Sequence, residues 1–530
     1  ASLFLVGRNQ DKFQFPIVAF IPLLLMVLLA VQVAILKPDY WQNQFIAVLY
    51  LGLSALVMLL ATNLRHVLSL SKVVPSLAWA FFVSTVTILL LMVVSKFIDP
   101  QSDLALWILN GRAGNIGQTN HFSNFVALGL GSLLYLRLTG RIGNWLTVIT
   151  SAVILIGLVQ AGQRMAILYV GILSVGGWIL ARQIAKNEDI SIRASSLLWL
   201  IPGFIIAQII VPFLPFLDPA TVPVKKLAET MTKEPTRLLL LEQGWEVFKA
   251  HPWIGIGWGE LAWYNFTVTE EYPSLKGLWS HVHNIFMQLL SETGAVGALI
   301  FTAGMLYWFR EQVQVQLTME RWWILALLSI LGIHSLLEYP LWYTHFLAFA
   351  SLLLGLSAER NIEFRFRLAP VGFIVVFVFS CWSLGNLLTD YQRLEHSINT
   401  LRTEGLPESK IEENLLMFNE LRNETVFTPY ADNYFVRVLP NNDSFYADKL
   451  ILSQLVVENW PGKTETYMHA YLLAMNDKPV AAQKMMRKAI KQFPEYRNAF
   501  HDFILKRVAR GDSLLLPILL IIQDPYQAQD

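Results

Sequence analysis

The run Phe15-Pro16-Ile17-Val18-Ala19-Phe20-Ile21-Pro22-Leu23-Leu24-Leu25-Met26-Val27-Leu28-Leu29-Ala30-Val31-Gln32-Val33-Ala34-Ile35-Leu36 carries no charge. A helix needs roughly 20 apolar residues to cross a bilayer core, so this stretch reads as a membrane span. Ten further apolar segments follow, at about 45–62, 74–95, 121–138, 142–159, 165–180, 195–214, 284–309, 322–337, 341–356 and 368–388. Composition agrees: 55% of the chain is hydrophobic and 15% charged, against about 25% charged in soluble domains. The expected fold class is all-α, a polytopic membrane bundle of about 11 transmembrane helices. A net charge of +1 gives no reason to expect nucleic acid. The single cysteine, Cys381, excludes an intramolecular disulfide. Arg8 and Lys12 precede an apolar run too long for a signal peptide.

Basic residues orient the spans. Arg8, Lys12, Arg65, Lys72, Arg137, Arg141, Arg182, Lys186, Arg193, Arg310, Arg321, Arg360, Arg365 and Arg367 fall on one set of ends, and only Lys37, Lys96, Arg112 and Arg164 on the other. The first set is therefore expected in the cytoplasm, with the N-terminus. The long loop at about 215–283 and everything beyond residue 388 then lie outside. Residues 1–388 form the expected membrane domain. From Thr389 charged residues become frequent, and 389–530 reads as an external helical domain. Segments 467–475 and 480–493 look like a helical hairpin broken at Asn476-Asp477. Ala470, Ala482, Ala489 and Pro494 stand where a tetratricopeptide-like repeat has small residues and its closing proline; a generic helical domain fits equally. The apolar run 514–522 is too short to cross and reads as a docked helix.

Four polar clusters share the outer face. They are Gly117-Gln118-Thr119-Asn120-His121, Gln160-Ala161-Gly162-Gln163-Arg164, the long loop with Arg237 and Ser280-His281-Val282-His283-Asn284, and Glu338-Tyr339-Pro340. An outer arginine at 164 has two readings: an interfacial side chain reaching the headgroups, or a permanent cation that holds a phosphate. Arg237 carries the same ambiguity. It opens an amphipathic run with Leu238, Leu241, Trp245 and Phe248 on one face, expected to lie on the membrane and to end at His251-Pro252. The pair His281/His283 lacks the three protein ligands zinc wants. His283 reads better as a general base at neutral pH, and His281 as a supporting residue, with Asn284 and Glu292 orienting the neighbourhood. Gly255-Ile256-Gly257-Trp258-Gly259 has no preceding strand and no following Lys-Ser/Thr, so it is no nucleotide loop. It reads as a compact turn at the interface with Trp253, Trp258 and Trp263.

Taken in order, Gly117–His121, Gly162-Gln163-Arg164-Met165-Ala166, His251-Pro252-Trp253-Ile254-Gly255-Ile256-Gly257-Trp258-Gly259, the run from His281 to Gly294, and His334-Ser335-Leu336-Leu337-Glu338-Tyr339-Pro340-Leu341 resemble the PglL-type bacterial O-oligosaccharyltransferases of the O-antigen ligase and polymerase superfamily. The resemblance covers about 118–343, and Glu338-Tyr339-Pro340-Leu341 favours its protein-glycosylating branch. It implies an inner-membrane glycosyltransferase that needs no metal or other cofactor. The enzyme would move a preassembled glycan from undecaprenyl diphosphate to serine or threonine hydroxyls of periplasmic proteins such as pilin. By the same resemblance His283 activates the acceptor and Tyr339 assists. Arg164 holds the diphosphate, with Gln163, Arg237, Gln118, Asn120 and His121 nearby. His281, Asn284, Glu338 and Gln160 are expected to support them. Two positions depart from the family: Thr119 stands where proline is usual, and Gln163 where serine is usual. The functional glutamine is left open among Gln118, Gln160 and Gln163. The rivals are an O-antigen ligase acting on lipid A-core, a glycan polymerase, a lipid-linked glycan transporter and a non-catalytic envelope scaffold. A transporter calls for midplane charges and broken helices in repeated halves, whereas this sequence shows polar clusters at one surface and no internal repeat.

Overall fold

The computed structural model describes residues 13–94, 116, 118–214, 222–223, 236–364, 369–401, 407–439 and 445–524. The expected charges Arg8, Lys12, Lys96, Arg112, Arg365 and Arg367 lie outside the described residues, as do Gly117 and most of 215–235. Each of the expected apolar segments coincides with a helix. These are α1 (Ile17–Leu36), α2 (Trp41–Leu68), α3 (Leu70–Val94), α4 (Thr119–Leu138), α5 (Asn144–Gln160), α6 (Met165–Ile184) and α7 (Ala194–Phe213). After the long loop come α10 (Ile285–Gln314), α11 (Met319–Leu337), α12 (Thr344–Ser357) and α13 (Ala369–Leu401). The loop itself holds α8 (Thr236–Ala250) and α9 (Leu261–Thr267). Among the described residues, seven helices are long and apolar enough to cross a membrane, while α5 and α12 are apolar but shorter. The chain is an all-α polytopic membrane protein.

Two cores hold the bundle. The larger joins α3, α4, α5, α6, α7, α11 and α12 through residues such as Val74, Phe122, Leu158, Tyr169, Trp322 and Leu353. Its buried indoles are satisfied: Trp322 Nε1 donates to Gly177 O at 2.9 Å and Trp323 Nε1 to Ser132 Oγ at 3.0 Å. Unpaired N–H groups there would cost more than the bonds gain. The smaller core joins α1, α2, α10 and α12. At the end of the bundle where Arg65 and Arg321 meet, both pair with Glu359. Here the all-α expectation has one exception. β1 (Phe13–Pro16) pairs antiparallel with β2 (Asn361–Phe364), register Phe13 to Phe364, and Asn63 bonds the backbone of Gln14 in both directions.

The last apolar segment does not end near residue 388. Helix α13 runs unbroken for 33 residues into the tail. The tail continues as α14 (Glu408–Glu424), α15 (Thr428–Val438), α16 (Tyr446–Asn459), α17 (Lys463–Met475), α18 (Pro479–Gln492), α19 (Arg497–Ala509) and α20 (Leu516–Gln523). The hairpin α17–α18 turns at Asp477, whose φ is +55°. Ala470, Ala482 and Ala489 are buried where its helices meet, and α20 packs Ile518, Leu519, Ile521 and Ile522 into the same core. The tail also grips the long loop. Gly277 N donates to Gln492 O at 2.8 Å and Lys488 Nζ to Thr267 O at 2.7 Å.

One irregularity positions the long loop against the bundle. Helix α10 is interrupted at Gly294, with φ +65° and ψ −167°. The glycine-rich turn makes good the lost bonds: Ile256 N and Gly257 N donate to Ser291 O and Glu292 O, while Ala295 N and Val296 N donate to Pro252 O and Trp253 O. Gln32 of α1 adds Nε2 bonds to Ile254 O at 2.5 Å and Glu292 O at 2.7 Å. Glu292 Oε1 accepts from Gly259 N at 3.0 Å. Only glycine tolerates this approach. A Cβ on Gly294 would stand 2.3 Å from the Trp253 backbone, and one on Gly255 2.3 Å from that of Glu292. The glycine-rich segment is a compact turn, with Trp253 exposed on its surface and Trp258 stacked on Trp342.

Gly294→Ala should destabilise the detergent-solubilised protein by on the order of 2–4 kcal/mol, combining left-handed strain with overpacking. Gly171→Ala, whose added methyl meets nothing within 4 Å, should leave the thermal midpoint unchanged. Equal midpoints for the two variants would contradict this account of the break.

Candidate functional site

The segment before α10 is held from both sides. Asn284 caps the helix: Oδ1 accepts from Phe286 N and Met287 N, each at 3.1 Å, and Nδ2 donates to Leu336 O at 3.1 Å. Gln288 Oε1 accepts from Val282 N at 2.9 Å, and Val282 is buried against Val247 and Leu261. His283 sits between these clamps with φ +57°. A left-handed histidine is uncommon, and such strain concentrates at functional sites.

The His283 ring is oriented by two contacts. Its Nδ1 lies 3.0 Å from His281 O. A carbonyl oxygen only accepts, so Nδ1 carries the hydrogen, and Nε2 bears the lone pair in the neutral ring. Nε2 lies 3.4 Å from Glu338 Oε2. The other carboxylate oxygen of Glu338 pairs with Arg237 Nη2 at 2.5 Å. One carboxylate, delivered by the non-helical link after α11, thus joins the histidine segment to the first turn of α8.

Burial lowers the His283 pKa from the ordinary histidine value, and Arg237 adds to that, while the Glu338 carboxylate and the carbonyl of His281 oppose it. His283 is therefore neutral at neutral pH. Burial pushes His281 further, down to about 4, and its Nδ1 is turned to Ser280 O. Burial and the neighbouring Tyr343 push Tyr339 up to about 12, so this phenol keeps its proton and is a donor rather than a base. Tyr339 meets both imidazoles edge-on, with ring centroids 4.1 Å from His281 and 5.1 Å from His283. Among the described residues no three His, Cys, Asp or Glu side chains are arranged to hold a metal ion.

Arg164 occupies the turn between α5 and α6, where Gly162 has φ +67°. Burial lowers its pKa, Arg237 presses in the same direction, and Glu338 opposes. Its guanidinium therefore feels the same ion pair that holds His283. Among the described residues the Arg164 guanidinium has no ion-pair or hydrogen-bond partner, although its carbonyl accepts from Ile167 N, whereas Arg237 is committed to Glu338. The face of α8 with Leu238 and Trp245 is exposed, and the opposite face, with Gln243, Gly244 and Val247, is buried.

The remaining expected residues form an adjoining layer. Gln163 Nε2 donates to Thr119 Oγ1 at 2.6 Å, so the two positions that depart from the family bond each other. Tyr343 stacks on Tyr339 and donates to Gln118 Oε1 at 3.4 Å. His121 is buried against Tyr343, with centroids 4.2 Å apart. Asn120 is half-buried on the first turn of α4, and Gln160 is buried at the end of α5. Sequence reasoning passed over Tyr343 and Trp279. Tyr343 links the two layers, and Trp279 meets the His283 ring edge-on at 5.5 Å. The spacing of Tyr343 four residues after Tyr339 was the available signal.

Two family matches divide at this junction. Residues 147–302 match the family described as O-Antigen ligase, and residues 322–507 match that described as Virulence factor membrane-bound polymerase, C-terminal. Arg164, Arg237 and His283 come from the first stretch, Glu338 and Tyr339 from the second. The chain resembles the PglL-type O-oligosaccharyltransferases of the O-antigen ligase superfamily. It is 26% identical over 298 residues to the General O-oligosaccharyltransferase of Acinetobacter baylyi, covering 54% of this chain and 50% of that protein. It is 25% identical over 348 residues to the ComP-specific O-oligosaccharyltransferase of the same organism, covering 64% and 61%. The chain thus spans between half and about three-fifths of the length of these O-oligosaccharyltransferases.

If neutral His283 is the working form, the acid limb of the rate profile should lie below the ordinary histidine value of about 6.5. Glu338→Gln removes a group that raises that pKa, so the limb should move to still lower pH while the plateau rate falls. A limb that moves upward in this variant, measured as kcat/KM against pH, would refute the assignment.

Proposed function

We propose that this protein transfers a preassembled glycan from undecaprenyl diphosphate to serine or threonine hydroxyls of periplasmic proteins such as pilin. The observation that carries the reading is the geometry at Glu338, which joins an oriented, neutral imidazole to the surroundings of an uncommitted arginine. Nε2 of His283 takes the proton of the acceptor hydroxyl. The hydroxyl oxygen attacks the sugar C1, the bond from C1 to the phosphate oxygen breaks, and the lipid diphosphate leaves with inversion at C1. Arg164 meets the negative charge that develops on the diphosphate. Glu338 stabilises the imidazolium formed on His283, and Tyr339, which keeps its proton, donates a hydrogen bond to the reacting oxygens. No other cofactor takes part in this reading.

Three further observations support it. An apolar cavity of about 280 Å³ between α1, α2, α10 and α12 reaches Trp342, whose ring is 5.4 Å from that of His281, and it suits an isoprenoid chain. The relatives carry names that denote O-oligosaccharyltransferases, which favours a protein acceptor. The paired arginines Arg65 and Arg321 gather at the bundle end away from the site. With the positive-inside rule, this supports eleven crossings of a bacterial inner membrane, a cytoplasmic N-terminus, and a periplasmic loop and tail. The match of residues 147–302 to an O-antigen ligase family favours a second acceptor, lipid A-core.

Purified protein incubated with lipid-linked glycan and either a pilin or lipid A-core should modify the pilin, read by mass spectrometry. Modification of lipid A-core alone would replace the reading with its rival. His283→Ala should cut transfer by about 10²–10⁴-fold with normal membrane insertion; near-normal transfer would remove the base from the mechanism. Arg164→Ala should raise the KM for the lipid donor and leave that for the acceptor unchanged. Unaltered donor kinetics would count against the diphosphate role.

A further inference from the structure

A cleft of about 630 Å³ lies between the histidine segment and the tail, within the roughly 300–1,000 Å³ typical of small-molecule sites. One wall is His281, Tyr339 and Tyr343. The other is built by the tail: Tyr430, Asn433 and Tyr434 of α15, Trp460 after α16, and Arg437 with Glu465. The tail wall is fixed to the start of α2, whose Asn43 also lines the cleft. Tyr40 Oη donates to Asp432 Oδ2 at 2.9 Å, Gln42 Nε2 to Thr428 Oγ1 at 3.0 Å and Asn43 Nδ2 to Asn459 Oδ1 at 2.6 Å. Arg422 locks Asp432 from behind at 2.6 Å.

The lining has a definite chemistry. Tyr430 and Trp460 are 55% and 47% exposed, so each offers a flat apolar face to a ligand. Among the described residues Asn433 Oδ1 is buried without a hydrogen-bond partner, an acceptor waiting for a donor. The charge of Arg437 is balanced by Glu465, so the wall presents polar groups without net charge. A lipid chain would not choose such a lining, and the apolar cavity beside it serves that purpose better. Sugar rings combine an apolar C–H face with a rim of hydroxyls, and both halves are matched here.

We propose that this cleft is a glycan subsite that binds the uncharged sugars of the donor beyond the one bonded through C1 to the diphosphate. The inference rests on the glycosyl-transfer reading above. It assigns to the tail a hold on the donor glycan, through α15 and Trp460. The length and hydroxyl pattern of the glycan are then read in part by the tail.

The test compares two donors: undecaprenyl diphosphate bearing one N-acetylhexosamine, and the same lipid with that sugar extended by two neutral hexoses. Tyr430→Ala, Trp460→Ala and Asn433→Ala should each raise the KM for the extended donor by roughly three- to ten-fold. The KM for the short donor should change less than two-fold, and Trp460→Phe should retain most of the preference. Equal changes with both donors, no change with either, or a rise confined to the acceptor KM would overturn the subsite. Calorimetry with the free trisaccharide separates this from the activity itself. Binding to the wild type that Trp460→Ala weakens supports the subsite even where no transfer occurs, and that outcome would sink the transfer reading alone. No binding to the wild type, with both donors used equally well, would sink the subsite alone.

Discussion

A break in a long apolar helix leaves backbone groups that must find partners elsewhere. At Gly294 the cost is met by exchange: the turn at 252–257 takes two carbonyls of α10 and supplies two of its own. Gln32, a polar residue in the middle of an apolar run, completes the set. The long loop is thereby bonded to a membrane helix by backbone, and the geometry tolerates only glycine at two facing positions. Everything at the site inherits its precision from this junction. The capped start of α10 fixes Asn284, Asn284 reaches the end of α11, and the end of α11 delivers Glu338.

Glu338 then decides the electrostatics. A buried carboxylate between a guanidinium and an imidazole lets the ring gain a proton without leaving a bare charge in a dry site. It also sets the two arginines apart. Arg237 is committed to the pair, whereas Arg164 is repelled by Arg237 and drawn by Glu338. The two stretches that match separate families therefore complete each other across a single carboxylate.

Much of this was legible in the sequence. The apolar runs announced their helices because a span has a length set by the bilayer, and the clustering of polar residues at one end followed from alternation of helix direction. His283, Tyr339 and Arg237 stood out as polar groups at apolar boundaries. The role of Glu338 was only partly visible, because its partners lie 55 and 101 positions away and no local pattern encodes them. The same reason hid the β1–β2 ribbon, which joins residues near 15 to residues near 362. It also hid the cleft, whose walls come from chain segments with no shared periodicity. The change in composition at Thr389 was read as a boundary, but composition reports solvent and not helix continuity, and α13 passes straight through it.

That continuity has a mechanical meaning. A helix of 33 residues is about 50 Å long, while the hydrocarbon layer is about 30 Å thick. The excess projects as a stiff lever into the tail, packed there against α14 through Leu394 and Phe418. The tail wall of the cleft is held at a second point as well, by the hydrogen bonds of Asp432, Thr428 and Asn459 to the start of α2. A lever anchored at both ends is a brace, and α13 holds the tail at a set height above the bundle.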